Sequence, residues 1–261
     1  MAAADGSPQA DRARVRLEQM RDVTVREMRR LLSRLDTAPG SSKLTADKAA
    51  LATVARTRVA IVTELRARGG LVVDAAEQAS ADAAQTVADK VDLGKFNAET
   101  AKDIGRLVSG QADEVLKTFG AAEESIGQAM RAAVSTAAPI DDLIDEVAQV
   151  VETTYLRAMA AVDAAVMASG RLVMLQAGEE MAEELGTTTV YKVVGPTDGK
   201  TRPWCREHVG NAYTRRALDG DDNGERQPKP VSAMLGGYNC RHSLAPMTLE
   251  EAQAEGLEVR Q

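Results

Sequence analysis

Apolar residues, above all alanine, recur at helical spacing through most of residues 11–184, and this pattern constrains the fold more than any other feature. Alanine has the highest helix propensity of all residues. Aromatic residues make up only 3% of the chain, which argues against a β-sandwich or barrel. The first stripe has mostly three- and four-residue steps and consists of Leu17, Met20, Val25, Met28, Leu32 and Leu35. The sequence therefore predicts a mainly α fold.

Glycine, proline and capping residues divide this region into predicted helices. In chain order these are residues 11–37, a helix from the N-cap Thr45 to Gly69-Gly70, residues 71–92, a helix capped by Asn97 or Thr100 that ends near Phe119, residues 121–137, and a long helix from Pro139 to Glu184. Pro139 suits the start of a helix because its missing N–H costs least there. Gly170 is a predicted break or kink in the last helix.

The character of the sequence changes at Gly186. The β-branched run Thr187–Val194 predicts a strand, and residues 219–230 predict a polar loop. A capping box at Thr248 and Glu251 predicts a short last helix. We therefore expect an elongated helical N-terminal domain, residues 1–186, followed by a small α+β C-terminal domain, residues 187–261.

Charge is unevenly distributed along a chain whose net charge is −7. The first seventy residues are basic and residues 71–190 are acidic. A basic helix can follow phosphates or meet an acidic protein surface. It can also be a solvated face that is balanced locally by Glu18, Asp22 and Glu27. The candidate residues for contact with DNA or with an acidic protein surface are Arg12, Arg14, Arg16, Arg26, Arg29 and Arg30.

Nothing in the sequence predicts a membrane segment, because apolar stretches are interrupted by charge before they reach the roughly 20 residues needed. The N-terminus lacks a basic region followed by an apolar run, so no secretory signal is expected. With two cysteines there is no disulfide framework. We expect synthesis in a reducing cytoplasm and no membrane partner.

Both cysteines and both histidines of the chain lie close together, as Cys205-x-x-His208 and Cys240-x-His242. Two thiolates and two imidazoles are a ligand set of tetrahedral zinc sites. Four protein ligands leave no position for water, so such a site is structural. The pattern predicts a structural zinc ion bound by Cys205, His208, Cys240 and His242.

Other interpretations of these four residues remain open. The cysteines can be buried apolar residues, they can form a disulfide, or a Cys–His pair can be catalytic. A zinc-dependent hydrolase or nuclease needs a general base, for which Glu207 is the nearby candidate. The His-Glu-x-x-His spacing of such enzymes is missing, and there is no phosphate-binding loop or nucleophile elbow. The sequence predicts no enzyme.

The segments around the two Cys–His pairs share a longer pattern. The first contains Asp198, Thr201 and Arg202 before Cys205-x-x-His208, and the second reads Asn239-Cys240-Arg241-His242. In this order, after a long helical region, the pattern resembles the C-terminal domain of phage minor head proteins of the Mu F-like, or head morphogenesis, family. The resemblance covers about residues 187–247. One departure is the lead Gly236-Gly-Tyr, where many relatives have a proline-rich segment, so the metal prediction rests on the four ligands of this sequence.

The resemblance implies a virion protein made in the host cytoplasm and present in few copies inside the capsid, near the portal. It implies a role in head assembly, genome packaging or ejection, with the portal protein, the major capsid protein or both as partners, and with packaged DNA as a further partner. On this reading the helical domain, residues 1–186, docks on the portal or capsid, and the six basic residues of the first helix face the portal or DNA. Beyond the four ligands, the motif positions that carry over are Asp198, Thr201, Arg202, Asn239 and Arg241. We expect Asp198 to pair with Arg202 and Arg241 to donate to loop carbonyls.

Overall fold

Four long helices precede a small sheet in a computed structural model of the chain, which describes residues 7–35, 43–44, 48–224, 230–238 and 240–261. The long helices are α1 (Ser7–Leu32), α2 (Lys48–Lys90), α3 (Ala98–Thr136) and α4 (Ile140–Leu185). The predicted mainly α fold with a small α+β part at the C-terminal end is confirmed. The predicted N-cap Thr45 lies outside the described residues.

Two predicted helix breaks are wrong. Gly69-Gly70 lies inside α2, and the predicted end near Phe119 lies inside α3. A glycine within a helix costs about 1 kcal/mol relative to alanine, which packing can outweigh. At Gly69 a Cβ atom would lie 3.3 Å from Cγ of Phe119, so this glycine accommodates a close aromatic neighbour rather than a helix end. Gly170 likewise leaves α4 continuous.

The ends of the helices are better predicted, since local hydrogen bonds determine them. Of the two candidate caps for α3, Asn97 fulfils the role, because its Oδ1 accepts from the Thr100 N–H at 2.8 Å. Pro139 directly precedes α4. At the last helix the predicted capping box forms, with Thr248 and Glu251 each accepting a backbone N–H from the other.

The sheet has four strands in the order β3-β1-β2-β4. The strands are β1 (Thr189–Val194), β2 (Ala212–Tyr213), β3 (Ser243–Thr248) and β4 (Val259–Arg260), and the short helices between and after them are α5 (Pro203–His208), α6 (Arg215–Gly220), α7 (Val231–Met234) and α8 (Leu249–Ala254). The central strand β1 pairs antiparallel with β3 over its full length and with β2, and β2 pairs parallel with β4. Helix α5, residues 195–202 before it, and the segment before β3 carry the candidate site.

The chain forms two compact units, which do not follow the predicted boundary at residue 186. Unit 1 consists of Met1–Ala13, Ala76–Gln111 and Ala160–Gln261, and unit 2 consists of Arg14–Ala75 and Ala112–Met159. The predicted boundary does coincide with the change of secondary structure between Leu185 and Thr189. The division into residues 1–186 and 187–261 is therefore visible in secondary structure but not in packing.

One core cluster of unit 1 joins helices and sheet. It includes Val87 of α2 and Leu172 of α4, together with Tyr191 of β1 and Leu235 after α7. A hydrogen bond adds a second link, because the Tyr191 hydroxyl donates to the Leu175 carbonyl at 2.8 Å. The sheet is thus built directly onto the C-terminal half of α4.

Unit 2 has a core of its own around Tyr155. The Tyr155 ring makes an edge-to-face contact with Phe119, with 5.4 Å between the ring centroids. Its buried hydroxyl lies 2.9 Å from Oγ1 of Thr24. Apolar side chains from all four long helices complete this core, including those of Leu17, Met28, Ile61, Leu65, Val115, Ile126, Met130, Leu143 and Val147.

Among the described residues, α4 alone meets the length and composition criteria for a helix that crosses a membrane. Its most apolar window has a mean hydropathy of 1.5, and 94% of that window is buried inside the protein. The sequence analysis predicted this long helix but did not identify it as apolar enough to cross a membrane, because single charges interrupt its apolar runs. A buried core helix has the same properties.

We predict that Gly178→Ala destabilises unit 1. A Cβ atom there would lie 2.7 Å from Cε1 of Tyr191 and 2.9 Å from Cγ2 of Thr189, two side chains that are hydrogen-bonded to α4. Overpacking of this kind typically costs about 1–3 kcal/mol of unfolding free energy, measurable by urea denaturation. The control Gly105→Ala, where a Cβ meets nothing within 4 Å, should gain up to about 1 kcal/mol. Equal effects of the two changes would contradict the prediction.

Candidate metal centre

Three of the four predicted ligands come together in unit 1. Cys205 lies in the first turn of α5, which begins at Pro203 after the extended residue Arg202. Cys240 and His242 lie in the segment directly before β3. Side chains two apart on an extended segment share a face, and the residue between them, Arg241, is exposed while both neighbours are buried.

Two of the three distances between the ligand atoms are close to those of a tetrahedral zinc site, and all three are within 4.8 Å. Cys205 Sγ lies 3.6 Å from Cys240 Sγ, and Cys240 Sγ lies 3.5 Å from His242 Nδ1. At ordinary zinc–sulfur and zinc–nitrogen bond lengths, tetrahedral angles place two sulfurs about 3.8 Å apart and a sulfur and a nitrogen about 3.6 Å apart. Both cysteines are free, whereas a disulfide needs sulfurs about 2.05 Å apart. These buried residues lie close enough to hold a metal ion.

The orientation of the His242 ring leaves one nitrogen available for a metal. Its Nε2 lies 3.0 Å from the Pro196 carbonyl oxygen. A carbonyl only accepts hydrogen bonds, so Nε2 donates to Pro196, and Nδ1 is the ring nitrogen that faces the sulfur of Cys240. Metal-binding histidines usually donate their second N–H in this way.

Gly236 explains the departure from a proline-rich lead. A Cβ atom at this position would lie 2.2 Å from Cys205 Sγ and 3.6 Å from Cys240 Sγ. Any side chain there would displace the Cys205 sulfur. The backbone can approach both cysteines only because residue 236 is glycine.

The two buried sulfurs lie within hydrogen-bonding distance of each other. The hydrogen bond with Cys205 lowers the pKa of the Cys240 thiol, burial opposes this, and the positive charge of Arg171 and hydrogen bonds to His242 lower it further. The same sulfur–sulfur hydrogen bond, burial and the charge on Cys240 raise the pKa of Cys205. A thiolate is the form that binds metal, so the lowered pKa of Cys240 favours this residue as a ligand.

Sequence reasoning missed Arg171, a buried residue of α4. Its guanidinium donates to the carbonyl oxygens of Ala233, Cys240 and His242 at 2.7–3.0 Å. The signal in the sequence was a single arginine within the apolar stretch of the long helix. Its partners are backbone atoms about seventy residues later, which no side-chain pattern identifies.

The other motif residues join the same two segments. Arg241 donates to both carboxylate oxygens of Asp198, at 2.6 and 2.9 Å, while Arg202 donates to the Gly236 carbonyl. The predicted Asp198–Arg202 pair is therefore wrong, and the two arginines have the opposite roles from those expected. The hydrogen bond from Arg241, followed by that from the Lys200 N–H, holds the pKa of Asp198 well below its usual range.

Two further motif positions complete this comparison. Thr201 accepts a hydrogen bond from the Asp198 N–H and donates one to the Pro196 carbonyl, which fixes the turn before α5. Asn239 lies outside the described residues.

His208 is not part of the cluster, which corrects the predicted four-ligand set. Its Nδ1 lies 2.7 Å from the Trp204 carbonyl oxygen and its Nε2 lies 2.8 Å from Asp221 Oδ2. The ring is stacked between Trp204 and Tyr213, at centroid distances of 3.8 and 5.1 Å. Both nitrogens are engaged by oxygen acceptors, so neither is available to the sulfur cluster.

The six arginines predicted to contact DNA or a portal all lie on α1 and are exposed. Arg30 pairs with Glu27, one of the expected local partners, and Arg29 lies 4.0 Å from Asp145. Exposed pairs of this kind contribute about 0–1 kcal/mol. The six arginines therefore form a basic, exposed surface on this helix.

Glu207, the candidate general base of a hydrolytic site, is exposed on α5, whereas the three cluster residues are buried. No contact between Glu207 and the cluster is found in the described part of the chain. The arrangement of the described residues resembles a cross-link between segments more than a reaction site open to substrate.

A comparison of this chain with protein-family models, with curated proteins and with solved structures gives no match. The function is therefore argued from the residues themselves.

We predict that Asp221→Asn destabilises the protein in a pH-dependent way. Burial acts to raise the pKa of Asp221, but hydrogen bonds from the Trp204 indole, the Asp222 N–H and His208 outweigh it and lower the pKa. A carboxylate whose pKa is lowered by folding stabilises the protein above its unfolded pKa of about 4, and this contribution is lost as pH falls through the folded-state pKa. The variant should therefore have a lower Tm at pH 7, with a difference that shrinks below pH of about 4.

Thermal unfolding at several pH values measures this difference. Glu207→Gln is the matched control, since it removes an exposed carboxylate from α5 and should leave Tm unchanged. A Tm difference for Asp221→Asn that stays constant from pH 7 to strongly acidic pH would contradict the assignment.

Proposed function

We propose that this chain is a structural minor head protein of a tailed phage or phage-like particle, located inside the capsid near the portal, where it assists head assembly, genome packaging or ejection. The observation that carries the proposal is the meeting of the two motif segments. Asp198 and Arg241, 43 residues apart, form a two-point ion pair, and Cys205 and Cys240 lie in contact beside it. A chance resemblance of two short segments gives no reason for them to meet.

The surface of unit 2 supports a docking role. Apart from Leu185, every large apolar side chain that is exposed among the described residues belongs to this unit. These side chains are Val15, Val23, Leu51, Val59, Leu71, Leu116 and Leu156. Burying such a side chain against a partner typically contributes about 1.5–3 kcal/mol. The portal protein, the major capsid protein or both are the partners that the proposal assigns to this unit.

We propose that the buried cluster of Cys205, Cys240 and His242 binds zinc in a structural role; with His208 excluded, the fourth position of a tetrahedral ion is left to a ligand other than these residues. Two thiolates and an imidazole are donors that zinc prefers over magnesium or calcium, which bind oxygen. Bound there, zinc supplies a cross-link between α5 and the segment before β3. The role of the three residues is to hold the two motif segments at a fixed separation.

We predict one zinc per chain, bound by three residues and not by His208. Cys205→Ser, Cys240→Ser and His242→Ala should each lose zinc in elemental analysis, because each removes a ligand atom of the cluster. His208→Gln is the control: it alters a neighbouring buried imidazole and should retain zinc. X-ray absorption of the wild-type protein should show two sulfur ligands and an imidazole. Zinc loss in His208→Gln with an intact fold would restore the four-ligand set, and a wild-type chain without zinc would reject the site.

The head-protein proposal is tested on particles assembled by the element that encodes this chain. Mass spectrometry of purified heads should detect the chain in few copies, and asymmetric cryo-EM reconstruction should place it inside the head near the portal. Heads assembled without the portal protein give the matched comparison, since portal docking predicts loss of the chain while the major capsid protein remains. Absence from wild-type heads would reject the proposal.

The basic surface of α1 is tested in the same system. At about 100° per residue, Arg12, Arg16, Arg26 and Arg30 fall within an arc of about 80° on the helix. If this face contacts packaged DNA, binding should weaken steeply with salt, and changing Arg26, Arg29 and Arg30 to glutamate should abolish it. The matched lysine variant should retain binding. Salt-independent binding would assign the face to a protein partner.

A further inference from the structure

Arg171 is the largest side chain that is fully buried among the described residues, with a relative exposure of 1%. It lies on α4 between apolar neighbours such as Ala168 and Leu172. Burying a guanidinium is far more costly than burying an apolar side chain of the same size, unless its charge and N–H groups are satisfied. Such a residue is retained where it organises something that an apolar residue cannot.

The hydrogen bonds of Arg171 are directed at the ligand-bearing segment. Nε and Nη2 both donate to the His242 carbonyl, at 3.0 and 2.7 Å, and Nη2 also donates to the Cys240 carbonyl at 2.7 Å. Nη1 donates to the Ala233 carbonyl at 2.9 Å. Two of the three acceptors thus belong to the residues whose side chains form the cluster.

This contact fixes the direction of both side chains. The carbonyl of a residue and its Cα–Cβ bond are rigidly related once φ and ψ are set. A planar guanidinium with several donors in a fixed fork holds two carbonyls at once, in a way that a flexible ammonium cannot. Because Arg171 comes from the interior of a long helix, its position is itself well defined.

We propose that Arg171 is the positioning residue of the metal centre. It holds Cys240 and His242 at the separation that zinc requires, and it places a positive charge beside the two sulfurs. This inference rests on the proposed zinc site. It adds a fourth residue to the centre, one that contacts the ligands through their backbone and does not bind the metal.

The test compares zinc binding by the full-length wild type, Arg171→Met, Arg171→Lys and the control Arg157→Met. Arg157 lies on the same helix but is exposed. Zinc affinity is measured by competition with a chromophoric chelator, and cobalt(II) substitution reports ligand geometry through its absorption spectrum. Loss of a residue that orients ligands typically weakens metal binding 10- to 100-fold. We expect a loss of about 100-fold in Arg171→Met, about tenfold in Arg171→Lys because the charge is kept, and none in Arg157→Met.

The cobalt spectrum separates positioning from general stability. A positioning role predicts shifted cobalt bands in Arg171→Met at temperatures where the protein is folded. Wild-type affinity and an unchanged spectrum, even with a lower Tm, would overturn the inference while leaving the zinc site intact. If Arg171→Met does not fold, Arg171→Lys decides: tenfold weaker binding supports the inference and wild-type affinity overturns it. A wild-type chain that binds neither metal would reject the zinc site and, with it, this inference.

Discussion

The architecture around the cluster depends on how the buried carbonyl groups of Ala233, Cys240 and His242 are satisfied. These residues lie outside the regular part of the sheet, so no strand partner supplies N–H donors to all of them. A buried carbonyl without a donor costs about 1–3 kcal/mol. One guanidinium from α4 provides four hydrogen bonds to these three groups. An irregular segment can therefore lie against the helix core and still present two ligand side chains on one side.

Interactions of very different strength connect the two motif segments. The ion pair of Asp198 and Arg241 is exposed on both sides, and pairs of this kind contribute about 0–1 kcal/mol. The sulfur cluster and the glycine that packs against it are buried. The buried contacts therefore determine how the two motif segments lie against each other. The surface ion pair helps to align the segments and adds little stability.

Much of the fold was predictable because it depends on local chemistry. Helical spacing identified the long helices, and the Thr248 capping box formed as expected, since cap and acceptor are three residues apart. The predicted helix end at Gly69-Gly70 was wrong because Gly69 packs closely against Phe119, which lies fifty residues later in the chain. For the same reason sequence reasoning grouped His208 with the cysteines: spacing along α5 could not reveal that Asp221 and Trp204 engage both of its nitrogens. The role of Arg171 could not be predicted from the sequence, because its guanidinium donates to backbone carbonyls.

The discontinuous make-up of unit 1 has a consequence for how the chain matures on the ribosome. Residues 76–111 emerge early, yet the partners that cover their apolar side chains belong to residues 160–261. During translation this helical face stays uncovered until residues from 160 onward have left the exit tunnel. A nascent chain in that state is a natural client for chaperones, and a premature stop before residue 160 would release it with the face uncovered.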